Sequence, residues 1–520
     1  MQFNLADLYE SHADAFPDRL ALVSGPVRWT YRQLDDRANR LAQHWRSQGV
    51  GPGESIGLCL YNCHEYIECM LAAWKIGART INVSFRYKAR DLAYVFANAD
   101  LVGLVTEAEL RQECEAARQP QMRFVLERGP AYEEALAAAS DARPAVPRSA
   151  DDLVIIYTGG TTGMPRGVMW RHEDLFFAAL QGGNPGGEPI TNASELTPRM
   201  LENGGGINVL SAPPLIHGSA QLASWLALMN GGLAAVVPGR SLMPEAIWDM
   251  VQAEGIHTLN IVGDAMALPL VEVLEQNPGR WDLRELMVVT SAGAVLSTSV
   301  RERLEVHLPR GMVMNNFGAS ETGHQGAAFY DEGKPVWVLD ERHTTVLDDQ
   351  LDPVVPGSGV VGRIARFGHI PLGYYGDPVK TAATFPTRNG RRYAIPGDMA
   401  TVQEDGAIVF LGRGSACINT GGEKVFAEEV EELLKAHPAV RDAIVVGLPD
   451  PRWGQRVVGL VTARGGPVEE ETVLAWCRGQ IAAYKVPKQL FVVESLARQP
   501  SGKPDYPGAQ AAAAALAAAT

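Results

Sequence analysis

Leu153-Val-Ile-Ile-Tyr-Thr-Gly-Gly-Thr-Thr-Gly-Met-Pro-Arg-Gly-Val168 is the stretch whose reading decides the fold. Its first four residues form a continuous apolar run, the pattern of a strand buried on both faces. Thr158, Gly159, Gly160, Thr161, Thr162 and Gly163 follow, then Pro165-Arg-Gly167, and a helix is expected from about His172. Four glycines and three threonines fall in the eleven residues from Tyr157 to Gly167. Glycines let backbone N–H groups close on phosphate oxygens, and threonine hydroxyls add donors. Arg166 supplies a cation suited to a polyphosphate. The spacing does not fit GxxxxGK followed by Ser or Thr, so this is a phosphate cradle of another kind. An unliganded turn is the competing reading, and the density of Gly and Thr weighs against it.

Working outward, the first 150 residues alternate helical and strand patterns. Thr30 stands at an N-cap position before a helical run to Leu41, Ser55 to Leu60 reads as a buried strand, and Thr80 to Val83 as another. Such alternation implies an α/β sheet covered on both faces. Gln181 to Gly206 holds seven glycines and three prolines and reads as a long loop. Glycine and proline crowd Pro353 to Gly376, which suggests a small barrel-like subdomain with tight turns. After Arg413 the pattern changes. A helix from Glu428 to Lys435, strands at Ala443 to Val446, Val457 to Thr462 and Gln489 to Val493, and a helix from Thr472 to Ala482 make a compact α+β domain. The alanine-rich end, Ala509 to Thr520, has helical propensity, but with so few large side chains it is expected to bury little and to fray.

A chain of 520 residues exceeds one ordinary core, and a hydrophobic share of 46% with 20% charged residues specifies a packed protein. The net charge of −14 argues against nucleic acid as a partner, so any polyanionic ligand needs local cations and backbone N–H groups. No signal-like start and no apolar run of about 20 residues is present, which points to a cytoplasmic protein without a transmembrane segment. Cys59, Cys63 and Cys69 cluster with His64, yet Leu60 to Ile76 reads as an apolar helix, so buried thiols are expected rather than a metal site.

The Gly–Thr loop resembles the phosphate-binding signature of the adenylate-forming superfamily, which includes acyl-CoA synthetases, peptide-synthetase adenylation domains and beetle luciferases. The resemblance runs from about Tyr9 to Lys503, with several motifs in the family's order. Ser291-Ala-Gly293-Ala294 resembles the small-residue turn beside adenine. Asn315-Asn316-Phe317-Gly318-Ala319-Ser320-Glu321-Thr322 resembles the motif after it. The resemblance implies that Phe317 stacks on adenine, Glu321 holds Mg²⁺, and Thr322 contacts the α-phosphate. It implies that Asp398 and Arg413 hold the ribose, and that Lys503 bridges the carboxylate and α-phosphate. An aromatic face suits a base, a hard carboxylate suits Mg²⁺, and an ammonium offsets the repulsion of two approaching anions. This sequence has Phe317 where the family often has Tyr, and Arg166 where it commonly has Lys.

The implied reaction activates a small-molecule carboxylic acid with ATP and Mg²⁺ and passes the acyl group to coenzyme A. The implied fold is α/β: a large multi-layer N-terminal domain with two sheets and a barrel-like subdomain (1–412), a hinge (413–415) that includes Gly414 and Ser415, and a small mobile α+β lid domain (416–520). Gly421, Gly422 and Glu423 would line the pantetheine channel after rotation. His217 matches the family's histidine near the acyl carboxylate. Ile216-His217-Gly218 offers no aspartate for an amino-acid ammonium. The acyl pocket is expected along Trp225 to Met229 and Ile261 to Met266, where Asp264 either hydrogen-bonds within the protein or meets a polar group of the substrate. Met169-Trp170-Arg171, the Gly-rich loop and Ile261-Val-Gly-Asp264 look similar to actinobacterial synthetases for fatty acids or sterol side chains. A carrier-protein acceptor, a nucleotide-binding pseudoenzyme and a homodimeric assembly stay open.

Overall fold

The computed structural model describes every residue except 1, 159–163, 203–204, 295, 332–333, 415–416, 421–422, 500–501 and 520. Among the described residues, the largest sheet has nine strands. Its centre is parallel: Met312–Ala319, Val288–Ala292, Thr258–Ile261, Val209–Ser211, Ala234–Val236 and Leu20–Ser24 lie side by side. Antiparallel strands Gly323–Asp331 and Lys334–Leu339 extend one edge. A second, parallel sheet orders Arg79–Asn82, Ser55–Cys59, Leu101–Thr106 and Phe124–Glu127. The parallel strands are runs of Val, Leu, Ile and Ala because helices cover both faces.

Local signals explain the helices. Thr30 closes a capping box on Tyr31–Ser47: its hydroxyl accepts from Gln33 N–H, and the Gln33 side chain accepts from Thr30 N–H. The helix then buries Leu34, Ala38, Leu41 and Trp45. His64–Lys75 is buried along its length, Cys69 with it, and Lys75 ends between Glu10 and Asp35 at 2.5 and 2.6 Å. That placement keeps a buried ammonium paired. Cys59, Cys63 and Cys69 are buried free thiols, and no cluster of His, Cys, Asp and Glu suited to a metal occurs among the described residues.

A six-stranded sheet from Thr344–Leu347 to Ile408–Arg413 occupies the place of the expected barrel-like subdomain. The small domain packs Ala427–Ala436 and Glu470–Arg478 on a sheet built around the long hairpin Val440–Asp450 and Gly454–Ala463.

Two expectations need correction, and one strand was not foreseen. The helix expected from about His172 is present, but Gly167 first enters a strand. Arg166–Arg171 is a strand antiparallel to Leu153–Thr158, and the helix His172–Ala179 follows it. The alternation of Gly167, Val168, Met169 and Trp170 was too short to separate from the turn before it. The segment Gln181 to Gly206 is not loop throughout, since it contains the helix Leu196–Glu202, with Leu196 and Met200 buried. The alanine-rich end does not lie idle. Tyr506–Ala519 is a helix whose Ala509 and Ala513 are fully buried against Ile444, Val446, Leu448, Val458 and Leu460. The sheet supplies the large side chains, so alanine only has to permit close approach.

Candidate active site

A cavity of ≈1040 Å³ lies where the two domains meet. One wall is the nine-stranded sheet, seen through Asn260, Thr290, Ala292, Met314 and Asn316. The facing wall is the helix Gly218–Met229, which contributes Ser219, Leu222, Ala223 and Leu226. Gln181, Pro185 and Gly186 from the Gly-rich segment close one side. Phe329 and Val338, 46% and 54% exposed, stand where the cavity meets solvent. Of the expected stretches Trp225 to Met229 and Ile261 to Met266, Leu226 and Val262 line the cavity, while Trp225 and Met229 are buried in the core, Trp225 against Trp74. The side chains that line the cavity, Leu222 and Leu226, recur at four-residue spacing after His217, a pattern visible in the sequence.

Two asparagines missed in the sequence build the mouth. Buried Asn82 accepts from Tyr157 N–H and donates to the carbonyls of Tyr157 and Ile216, all at 2.7 Å. Asn62 accepts from Leu215 N–H at 2.7 Å and donates to Pro213 O at 3.3 Å. Together they join the end of the strand Leu153–Thr158 to the segment that presents His217. Burial, with the charges of Lys503 and Arg86, holds the His217 imidazole down at about 4, so it is neutral at pH 7. Its Nε2 is buried with no hydrogen-bond partner among the described residues.

Lys503 comes from the small domain and reaches into the same space. A Cβ placed on Gly293, whose φ is +86°, would stand 3.2 Å from Lys503 Cε and 3.5 Å from Nζ. Glycine therefore serves both the backbone conformation and the passage of the lysine. Arg498 braces the lysine's turn, donating to Gly502 O at 2.9 Å and to Asp442 at 2.5 Å. Ser291 fixes the neighbouring turn: its hydroxyl accepts from Gly263 N–H and donates to Ala294 O, each at 2.8 Å.

Phe317 lines the cavity and packs edge-on against Trp337 and Phe410, at 5.8 and 5.4 Å between ring centroids. Gly318, Ala319 and Ser320 line the cavity beside it, and Trp170 Nε1 donates to Ser320 O at 2.9 Å. Tyr374 donates its hydroxyl to Glu321 Oε1 at 2.8 Å. Burial and the Glu321 charge push the Tyr374 phenol well above its ordinary value, so it remains a donor. Mg²⁺ is commonly held by one or two carboxylates together with substrate phosphates. Glu321 is not itself among the cavity-lining residues, but it is oriented by Tyr374 and stands between Ser320 and Gly323, which are, and its carboxylate fits that donor set.

The other expected residues divide between the cavity wall and its surroundings. Thr322 is fully buried, and its hydroxyl accepts from Ala319 N–H at 2.9 Å, so its immediate structural role is to close the turn. Arg166 pairs with Asp377 at 3.1 Å and is not among the cavity-lining residues. Asp264 does not line the cavity either: it is buried, accepts from Ser297 N–H at 2.8 Å, and faces Lys435 of the small domain. Thr158 lines the cavity. Asp398 is buried on Asp398–Val402, in register with Arg413 on the neighbouring strand. Glu423 is exposed on Glu423–Phe426 and lies outside the cavity lining. Gly159, Gly160, Thr161, Thr162, Gly163, Ser415, Gly421 and Gly422 lie outside the described residues.

The family model "AMP-binding enzyme" matches residues 9–375, and "AMP-binding enzyme C-terminal domain" matches 429–503. The chain is 43% identical to a 3-oxocholest-4-en-26-oate–CoA ligase of Rhodococcus rhodochrous, over 97% of this chain and 95% of that one. It is also 43% identical to a medium/long-chain-fatty-acid–CoA/3-oxocholest-4-en-26-oate–CoA ligase of Mycolicibacterium smegmatis, over 97% and 96%. In fold it is similar to the anthranilate CoA ligase AuaEII in complex with anthranoyl-AMP, with a TM-score of 0.84 and 20% identity over 99% and 98% of the two chains. With Lys503 of the small domain meeting Gly293 and His217 of the large one, and with both family models matched in order, the chain belongs to the AMP-binding enzyme family, the adenylate-forming superfamily its motifs resemble.

Proposed function

We infer that this protein is an AMP-forming acyl-CoA synthetase acting on an apolar carboxylic acid. The observation that carries the reading is the entry of Lys503 beside Gly293 at the head of a cavity whose helix wall is Leu222, Ala223 and Leu226. A carboxylate at that head meets an ammonium, and its apolar body meets leucine and alanine.

In the first half-reaction a carboxylate oxygen attacks the α-phosphorus of ATP. A carbon–oxygen–phosphorus anhydride forms, the α–β bridge breaks, and pyrophosphate leaves. Lys503 offsets the repulsion between the two anions. Neutral His217 brings a hydrogen-bonding edge to the carboxylate without a second positive charge. Mg²⁺, when bound at Glu321, supplies charge neutralisation for the departing pyrophosphate. In the second half the thiol sulfur of coenzyme A attacks the acyl carbon, AMP leaves with the bridging oxygen, and the thiol proton passes to solvent. Lys503 then has to leave the head of the cavity. Rotation of the small domain about 413–415 accounts for this, bringing Glu423 toward the thiol's path.

The names of the two ligases support a fatty or sterol-derived acid. No described helix is long and apolar enough to cross a membrane, which is compatible with a cytoplasmic site of action. The test is acid-dependent ATP–pyrophosphate exchange over linear, aromatic and steroid carboxylates, followed by mass spectrometry for the thioester after addition of coenzyme A. Exchange with apolar acids and a coenzyme A thioester are expected; no exchange across the panel would overturn the reading.

A further inference from the structure

The sheet wall of the cavity is not uniformly apolar. Asn260 and Thr290 are register partners on adjacent parallel strands, and Asn316 Nδ2 donates to the Thr290 hydroxyl at 2.5 Å. All three line the cavity. Thr258 and Val288 stand two residues before Asn260 and Thr290, and Met314 lies level with Thr290 as its register partner; all three line the cavity, so the polar groups are set among more apolar ones.

Two atoms of this layer are buried with no partner among the described residues: the amide nitrogen of Asn260 and the amide oxygen of Asn316. Asn260 is only 2% exposed. Buried polar side-chain atoms in native proteins almost always find a partner, and an unmet one destabilises the fold. An unmet donor and an unmet acceptor on residues of a ligand cavity's wall call for a ligand that can both accept and donate. A hydroxyl gives one hydrogen bond and accepts others, an oxo group only accepts, and a methylene does neither. The Thr290 hydroxyl accepts from Asn316 and keeps its own proton to donate.

We propose that Asn260, Thr290 and Asn316 form a hydroxyl-recognising layer that selects acids carrying a hydroxyl several carbons from the carboxylate. The proposal rests on the acyl-activating reading above and names the substrate class of the same cavity. Thr290, level with Asn260, lies three residues before Gly293, the glycine at Lys503, a rise of about 10 Å, and Asn316, level with Ala292, reaches back to it. The layer therefore meets the body of the acid, not its carboxylate. A site built to hydrogen-bond a substrate hydroxyl discriminates strongly against the analogue that lacks it, because its own groups are then left unpaired.

The experiment compares acids of one skeleton, unsubstituted, hydroxylated at successive positions, or carrying an oxo group there, by kcat/KM in ATP–pyrophosphate exchange. One hydroxylated isomer is expected to exceed the parent acid by about tenfold or more, and the matching oxo acid by less. Asn260→Leu and, independently, the isosteric Thr290→Val should each bring the hydroxyl-to-parent ratio down toward one. The ratio is internal to each variant, so partial misfolding does not mimic the effect. Exchange with no hydroxyl preference at any position, an oxo preference in its place, or a ratio unmoved by both substitutions would overturn the layer and leave the acyl-activating reading standing. No exchange with any acid would overturn both.

Discussion

Lys435 Nζ lies 3.2 Å from Asp264 Oδ2, a buried ion pair that joins the small domain to the large one, with side chains 9% and 1% exposed. Burial works to lower the lysine's affinity for its proton, but Asp264, with Asp442 and Glu431, outweighs it and the ammonium is held firmly charged. The same surface joins Thr298 N–H to Glu432 at 2.7 Å and Arg441 to Glu272 at 2.8 Å. Breaking one half of a buried pair leaves the other charge uncompensated. Lys435→Met is therefore expected to weaken the domain arrangement that delivers Lys503. Acyl-adenylate formation should fall about tenfold or more while thioester formation from supplied acyl-adenylate is kept. Single-turnover measurement of the two half-reactions checks this, and equal losses in both would refute it.

Gly293→Ala tests the entry of Lys503, the lysine proposed to act in adenylation. The new methyl meets Lys503 Cε at 3.2 Å, at a backbone φ of +86° that an L side chain tolerates poorly. Pyrophosphate exchange should fall by about tenfold or more, for a displacement of order 1 Å at the reacting centre. Lys503→Ala should abolish exchange. Both variants should retain thioester formation from supplied acyl-adenylate, read by mass spectrometry.

Acid sensitivity follows from buried imidazoles. Burial holds His12, His217 and His324 at about 4 and His172 at about 3, against an ordinary value of 6.5. The unfolded chain binds these protons first, so stability is complete above about pH 6.5 and is lost as pH falls toward 4. Glu431, which burial raises to about 7, acts in the opposite sense. Burial lowers His44 and His437 as well, while His64, against the effect of its burial, is raised by Glu68 and acts with Glu431; with six lowered histidines against these two, Tm is expected to fall between pH 7 and pH 5. His172→Gln should flatten that fall by about one proton in the linkage slope, read from melts across the pH series.

The C-terminal helix should be structural. Ala513→Glu places a charge on a fully buried position against Val446 and Leu460, whereas Ala514→Glu falls on an exposed one. The first should lower the midpoint of denaturant unfolding, with a cost of about 2 kcal/mol or more, and the second by almost nothing. Equal midpoints would show that the helix does not hold its place on the sheet.

What was legible in the sequence was what is local or ordered along it. Thr30 announces its helix because a capping box spans four residues. The motifs at Ser291, Phe317, Glu321 and Lys503 are readable because their order along the chain is retained, and the fold brings Gly293, Phe317 and Lys503 to one cavity. What failed depends on partners distant in sequence. Asp264 could not be placed because Lys435 is 171 residues away. Trp225 and Leu222 sit on the same apolar helix, and only the surrounding core decides that the first is packed and the second faces the cavity. The tail's alanines look featureless until the sheet beneath them supplies Ile444 and Leu448.

Phe329 and Val338, the exposed apolar pair where the cavity meets solvent, set a limit on what this enzyme can measure. On the acyl-activating reading, an acid longer than the cavity is expected to pass them into water. Selection thus acts on the part of the molecule nearest the carboxylate, and the far end is carried along unread. Such a protein sorts its substrates by how they begin, and a bulky ring system or a long chain can share one entrance.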